Sequence, residues 1–268
     1  MLTGDTADQH QFQGYDGYMA LAGFAWTLSL VSNYIDTGKI RHRGDFPGRH
    51  SVRASALARG SLLADFTVFL TAHPEVLAVL GIPGAIATNV VSSLIYDVAK
   101  RVIGRNLGQD DRSLSPNMTK LLDNRGGDIE ALVAATEASI RQSHSVIGNG
   151  AQAINIYGGN NIINVYNDQT RQYVLQNVED PEVHEKNFSV AAFNANSGYG
   201  SVFDFDLGRT VPISMTKEVL SSVRSTFTWG LDQYANRTGK HVSVTYRRIF
   251  AMDGTPKRYV VLKAKHAV

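Results

Sequence analysis

The sequence contains no cysteine. That excludes a disulfide framework, a thiolate nucleophile and a cysteine-ligated zinc site, and it fits a reducing compartment. Proline is scarce at seven residues, and charged residues make up 19% of the chain against 43% hydrophobic. This is an ordinary globular composition, a little low in charge, without a low-complexity tail. No Gly-x-Ser-x-Gly turn is present to raise a serine nucleophile. No Gly-x4-Gly-Lys-Ser/Thr loop is present to cradle nucleotide phosphates. The first residues, MLTGDTADQHQFQ, carry two aspartates and no Lys or Arg. They lack the basic region of a secretory signal, so the expected location is the cytoplasm.

What the chain does have is a charge-free run of 21 residues, Val76 to Tyr96. Its length meets the roughly 20 residues of a bilayer-spanning helix. Gly81-Ile82-Pro83-Gly84 interrupts it, and two glycines and a proline so close break a helix. Past the break, Val91, Leu94, Ile95, Val98 and Val102 form one apolar stripe, with polar residues on the other sides. The spacing predicts an amphipathic helix over 85–103. Its stripe packs in the core, meets a partner, or lies on a membrane. The lack of Trp or Phe on it favours packing over insertion.

Other elements are read from periodicity. Leu21, Phe24, Leu28, Val31 and Ile35 follow helical spacing, which predicts a helix from Tyr15 to Asp36, apolar nearly all round and ended by Gly38. SVRASALA and LLADFTVFL read as a hairpin. Residues 108–127 read as a loop with a short helix at Met118 to Leu122, followed by a helix from an Asp128 N-cap to about Ser145. AINIYGGNNIINVYN is the clearest hairpin, turning at Gly158, Gly159, Asn160 and Asn161. A short helix follows, capped by Asn167 or Asp168. The charged stretch Glu179 to Lys186 is the expected domain boundary. Three strands, a helix from Lys217 to Tyr234 and a hairpin turning at Asp253-Gly254 complete the chain.

The fold class is therefore α+β: an N-terminal helix plus β-hairpin domain (1–147), a helical middle, a hairpin and short-helix connector (148–178), and a small C-terminal β-sheet or half-barrel with one inserted helix (186–268). For a chain of 268 residues this means one large or two modest domains.

Net charge is only +2, but it is uneven. Six Lys/Arg and one acid lie between Lys39 and Arg59, and seven Lys/Arg and one acid lie from Lys240 onward. Arg41, Arg43, Arg49 and Arg53 form one set of candidate phosphate clamps. Arg247, Arg248, Lys257 and Arg258 form another, with Tyr246 and Tyr259 beside them to stack on bases. The simpler reading is basic residues guarding a sheet edge. Asp204 and Asp206, two apart on one strand, are the one carboxylate pair that suggests acid–base chemistry or cation binding. Two carboxylates on the solvent face of a strand are the commoner arrangement. Histidines are scattered, and the dense Glu182-Val183-His184-Glu185 reads as a solvated charge run. No cofactor, metal or catalytic residue is expected.

GDTADQHQFQGYDGYMALAGFAWTL, the basic loop after it and ARGSLLADFTVFL together resemble the N-terminal domain of a bacterial family of unknown function. The resemblance spans roughly residues 3 to 150, and INIYGGNNIINVY is familiar from the same proteins. Such proteins look like accessory or effector proteins, some placed among antiphage genes. The resemblance implies a role in bacterial antiviral defence and carries no catalytic motif. Together these readings lead to a non-enzymatic protein that binds a protein partner and self-associates as a homo-oligomer. Two alternatives are a membrane-perturbing effector acting through residues 73–104 at the inner membrane, and a nucleic-acid binder acting through residues 39–59 and 240–265.

Overall fold

A computed structural model describes residues 1–9, 11–41, 51–55, 63–68, 76, 78, 80–81, 88–109, 114–251 and 254–267. The chain is mixed α+β and divides into two compact units. One comprises Met1–Leu121 and Ala135–Leu175, the other Leu122–Ala134 and Gln176–Val268.

The first unit is built around helix α1, Gly14–Thr37. Its polar residues are internally satisfied: the Thr27, Ser29 and Ser32 hydroxyls donate to carbonyls four residues back, at 2.7–3.0 Å. That bonding lets a helix with serines and a threonine on its surface be buried in protein. Gly38 ends it in the left-handed conformation (φ 65°), its N–H donating to the Tyr34 carbonyl at 2.8 Å. Strands β2 (Val52–Ala54) and β3 (Phe66–Val68) pair antiparallel, as the expected hairpin requires. Helix α2 (Thr88–Asn106) follows; the Gly-Ile-Pro-Gly break lies outside the described residues except for Gly81, which has a positive φ of 84°. Within α2, Leu94, Val98, Val102 and Ile103 are fully buried.

Helix α3, Pro116–Ser143, corrects one expectation. The loop and second helix start read at 123–128 shrink to a kink at one residue, Arg125 (φ −138°, ψ 28°), across which two helical stretches join. The true N-cap is Ser115, whose Oγ accepts from the Met118 N–H at 3.1 Å, with Pro116 in the first turn. Asp128 is not a cap. Its carboxylate accepts from the Asn194 amide at 2.8 Å, and Gly127 lies where a Cβ would come within 2.4 Å of the Phe193 backbone. The middle of α3, Leu122–Ala134, belongs to the second unit.

Strands β4 (Ala153–Gly158) and β5 (Asn161–Tyr166) form the Asn-rich hairpin, and β1 (Leu2–Thr3) adds to β4. Only Gly159 (φ 62°) uses positive φ in the two-residue loop, which is the sign pattern of a type II′ turn. Gly158 serves a different need, since a Cβ there would meet the Tyr96 ring at 2.3 Å. Helix α4, Asp168–Leu175, is capped by Asn167, whose Oδ1 accepts from the Thr170 N–H at 3.0 Å.

The second unit is a closed barrel. Its strands are β7 (His184–Phe193), β8 (Gly200–Asp204), β9 (Arg209–Ser214), β10 (Val242–Phe250) and β11 (Pro256–His266), with α5 (Lys217–Ala235) between β9 and β10. β7, β8 and β9 form an antiparallel meander. β10 pairs antiparallel with β11 and with β7, and β11 pairs parallel with β9 through Tyr259 and Val260. The ring therefore closes as β7-β8-β9-β11-β10-β7, and the short β6 (Val178–Glu179) attaches outside it to β10. Strand β7 serves both sides: Ser189–Phe193 pair with β8 and His184–Phe188 with β10, with an irregularity between Val190 and Ala192. The interior is Phe188, Val190, Val202, Val211, Ile213, Val244 and Val261, joined by Leu220, Val223 and Phe227 of α5. What reads from sequence as a sheet or half-barrel is thus a closed ring with its helix packed into the core.

Candidate functional site

The barrel presents two chemically distinct regions. On its outer surface, Ser189, Phe203 and Thr210 lie side by side across β7, β8 and β9. Phe203 packs edge-on against Phe205 (5.4 Å between ring centres), and Phe205 packs edge-on against His241 (5.0 Å). His241 is held by Ser189, Nδ1 to Oγ 3.1 Å. Phe205 is 49% exposed and Leu207 42%, so the ring cluster meets solvent.

At one end of the barrel lies a polar network that the sequence does not announce. Asp204 is 2% exposed, not on the solvent face. Its carboxylate accepts from the Lys186 ammonium, from the Tyr259 hydroxyl at 2.6 Å and from the Asp206 N–H at 3.0 Å. Lys186 also donates to Asp206 at 2.7 Å. Burial alone would raise the Asp204 pKa, but the hydrogen bonds from Lys186 and Tyr259 hold it below the ordinary carboxylate value. Burial pushes the Tyr259 phenol up, and the neighbouring Asp204 carboxylate adds to that. Lys186, despite burial, is raised by its two carboxylates and stays charged. All three groups are consumed by one another, so the carboxylates that suggested acid–base or cation chemistry form a structural ion cluster.

The charge run beside it is also partnered. Asp180, Glu182 and His184 place one ligand-type atom each within 4.8 Å of one another. Arg248 already supplies a cation there, with Nη2 2.7 Å and Nε 2.8 Å from Asp180 Oδ2, and His184 Nε2 lies 2.8 Å from the same oxygen. The Asp180 carboxyl is held down at about 2 by the Glu182 N–H, then by His184 and Arg248.

The basic candidates separate. Arg43 and Arg49 lie outside the described residues. Arg41 and Arg53 are exposed in the first unit, and the other four belong to the second. There, Arg247 is exposed, Arg248 is bound to Asp180, and Lys257 donates to Asn177 Oδ1 (2.7 Å) and the Gln176 carbonyl (3.3 Å). Arg258 stands opposite Ile249 on the neighbouring strand. Tyr246 and Tyr259 cannot stack on bases as expected, because they are 5% and 2% exposed and pack on each other and on Phe188. Of the stripe on α2, Leu94, Val98 and Val102 have no exposed surface, Ile95 is half-buried, and the Val91 side chain lies outside the described set. Those three buried side chains therefore offer no face to a partner or a bilayer in this structure. No helix among the described residues is long and apolar enough to cross a membrane.

A model of a domain of unknown function, DUF7946, matches residues 2–175, more than half of the chain. The chain belongs to that family. Residues 182–265 match a second family of unknown function, DUF7947. The first match spans the helix-and-hairpin unit up to α4, and the second spans the barrel. No curated protein and no solved structure matches the chain.

Aromatic residues that periodicity undervalues stand out elsewhere on the surface. At the start of α1, Tyr15 is 78% and Tyr18 64% exposed, and Phe12 packs edge-on against Tyr18 at 5.5 Å. Their signal in the sequence was present, since they fall off the Leu21–Ile35 stripe.

Proposed function

We propose that this is a non-enzymatic binding protein whose barrel takes single-stranded nucleic acid on the outer face around Phe203, Phe205 and His241. One observation carries the reading: the strands close in the order 1-2-3-5-4-1, with strands 3 and 5 parallel and a helix between 3 and 4. That is the connectivity of the OB barrel, whose strand 2–3 face binds oligonucleotides and oligosaccharides. The inference from topology is one of analogy; the exposed Phe205, packed on the half-buried Phe203, is the local chemistry that supports it, because every base offers a face for stacking. Of the seven Lys/Arg from Lys240 onward, Arg248 pairs with Asp180 and Lys265 with Glu185, and the exposed Lys240, Arg247 and Lys263 supply phosphate counter-charge. The test is fluorescence polarisation of a labelled oligo-dT with the full chain across a salt series. Affinity should fall with salt at a slope of about −0.7 per phosphate neutralised. Phe205→Ala should weaken binding by about 1–3 kcal/mol. Salt-independent binding, or no binding at low salt, rejects the reading.

A second reading is favoured by the exposed Tyr15 and Tyr18, the latter packed on the half-buried Phe12. Aromatic side chains left in solvent are characteristic anchors of protein interfaces. On this reading the chain self-associates and engages a protein partner in the bacterial cytoplasm, within the antiphage setting that its sequence resemblance suggests. Light scattering of the full chain across the micromolar range should give a mass above the 29.2 kDa monomer, reduced to the monomer by Tyr15→Ser with Tyr18→Ser. A monomer at all concentrations rejects self-association.

A further inference from the structure

The first unit contains a cleft of about 520 Å³ between α1, α2, β3 and the β4–β5 hairpin, within the size range of small-molecule sites. Its wall is apolar, formed chiefly by Leu21, Phe24 and Leu28 of α1, Ile95 of α2 and Ile156 of β4. Among the described residues no Lys, Arg or His lines it; its charged groups are the exposed Asp65 and the Met1 ammonium. Tyr166, at the end of β5, also belongs to this wall.

Tyr166 is 1% exposed, and its hydroxyl has no hydrogen-bond partner among the described residues. Its ring is fixed by stacking on the buried His144 at 4.2 Å. His144 offers the hydroxyl no relief, because both ring nitrogens are engaged. Nδ1 donates to the Ile140 carbonyl at 2.7 Å, and Nε2 accepts from Thr170 Oγ1 at 3.0 Å. A buried hydroxyl without a partner forfeits its hydration with nothing in return, and native proteins seldom leave one so.

We propose that the cleft binds an uncharged, apolar small molecule carrying a hydrogen-bond acceptor, and that this acceptor receives a hydrogen bond from the Tyr166 hydroxyl. The Met1 ammonium at the wall already donates to the Asn155 carbonyl at 2.8 Å and is opposed by Asp65, so among the described residues no unopposed cation invites a carboxylate or phosphate, which would bury a charge unpaired. The apolar wall selects an aliphatic or aromatic body, and the unpartnered Tyr166 donor selects a carbonyl or ether oxygen. Burial keeps the Tyr166 phenol protonated far above its ordinary range, so it remains a donor at any physiological pH.

The experiment uses the full chain and Nile red, a neutral apolar dye with one ring carbonyl. Displacement by methyl laurate, laurate and dodecane follows by fluorescence. Saturable dye binding is expected, with methyl laurate the strongest competitor. Tyr166→Phe should weaken Nile red and methyl laurate by roughly five- to tenfold, the value of one hydrogen bond, and leave dodecane unchanged. The same substitution should not lower the thermal midpoint of the ligand-free chain, since it deletes an unsatisfied group. Leu21→Trp, which fills the cleft, should abolish all three. Equal affinity of wild type and Tyr166→Phe for the dye and the ester overturns the proposal, as does preference for laurate or an absence of saturable binding. An ordered water found on the Tyr166 oxygen with dye affinity unchanged by the substitution also overturns it.

Discussion

Replacing Lys186 by methionine tests whether the barrel depends on its buried ion cluster. The substitution keeps the side-chain bulk and removes the ammonium from Asp204, whose side chain is only 3% exposed. Removing one partner of a buried ion pair costs about 3–5 kcal/mol because the remaining charge stays desolvated. Two features reduce that figure. Lys186 keeps 24% exposure, and Asp204 retains the Tyr259 hydroxyl and the Asp206 N–H. The expected loss is therefore about 2–3 kcal/mol, a large share of the roughly 5–15 kcal/mol that holds a domain together. Urea unfolding can be followed in each unit separately, because Trp26 is in the first and Trp229 in the second. In a Trp26→Phe background the Trp229 signal should move to lower urea in Lys186→Met. Adding Asp204→Leu and Tyr259→Phe removes the other buried members and leaves only the exposed Asp206, and most of the loss should return, since an apolar replacement of a buried pair is close to neutral. The acid response gives a second readout. With Lys186 present the folded Asp204 pKa lies below its ordinary value, so its contribution is present at neutral pH and disappears as pH falls through that lower value. Without Lys186, burial dominates and raises the pKa, so the variant should gain stability on acidification where the native chain does not. A loss below about 1 kcal/mol in Lys186→Met, together with an unchanged acid slope, refutes the reasoning.

Two further outcomes follow from the first unit, read by Trp26 in a Trp229→Phe background. His144 is completely buried, and desolvation, with Arg171 adding to it, lowers its pKa from 6.5 to about 4. Between those values the unfolded chain binds more protons, so stability should fall as pH drops from about 6.5 to 4, by up to about 3 kcal/mol. His144→Phe should flatten that slope; an unchanged slope would show that another group causes it. Gly23→Ala should destabilise by about 1–3 kcal/mol, because a Cβ there would meet the Ser139 carbonyl at 2.5 Å and the Ser143 nitrogen at 2.8 Å. An exposed helical glycine changed to alanine would instead gain up to about 1 kcal/mol, so the sign of the change, measured by chemical denaturation, decides whether the helices touch there.

The elements that depend on neighbours in sequence were legible in advance. The α1 periodicity, its Gly38 stop, the Gly-Gly-Asn-Asn hairpin and the Asn167 cap all rest on local backbone geometry, and all are present. The reading of 108–127 misjudged α3, because Gly126-Gly127 looks like a loop. The break is the single residue Arg125, and Gly127 is helical, its lack of a side chain used for close approach to the Phe193 backbone. The reading of Asp204 failed for a related reason. In SVFDFDL two faces alternate, and sequence alone favours putting phenylalanines inside and carboxylates outside. The cross-strand register sets Val202 beside Val190 and Val211, which carries Asp204 inward and leaves Phe203 and Phe205 outward. Lys186, 18 residues away, makes the inward carboxylate tolerable.

The sequence by itself determined that the chain is α+β, that it lacks thiol chemistry, and where most helices and turns begin and end. These follow from composition, capping and periodicity, which act over a few residues. Tertiary structure alone decided that the β11–β9 pairing closes a barrel, that Leu94, Val98 and Val102 of α2 are buried in the core, and that the Tyr166 hydroxyl is buried without a partner among the described residues beside an apolar cleft. Each depends on groups distant in sequence meeting in space, and no local pattern encodes which of them meet.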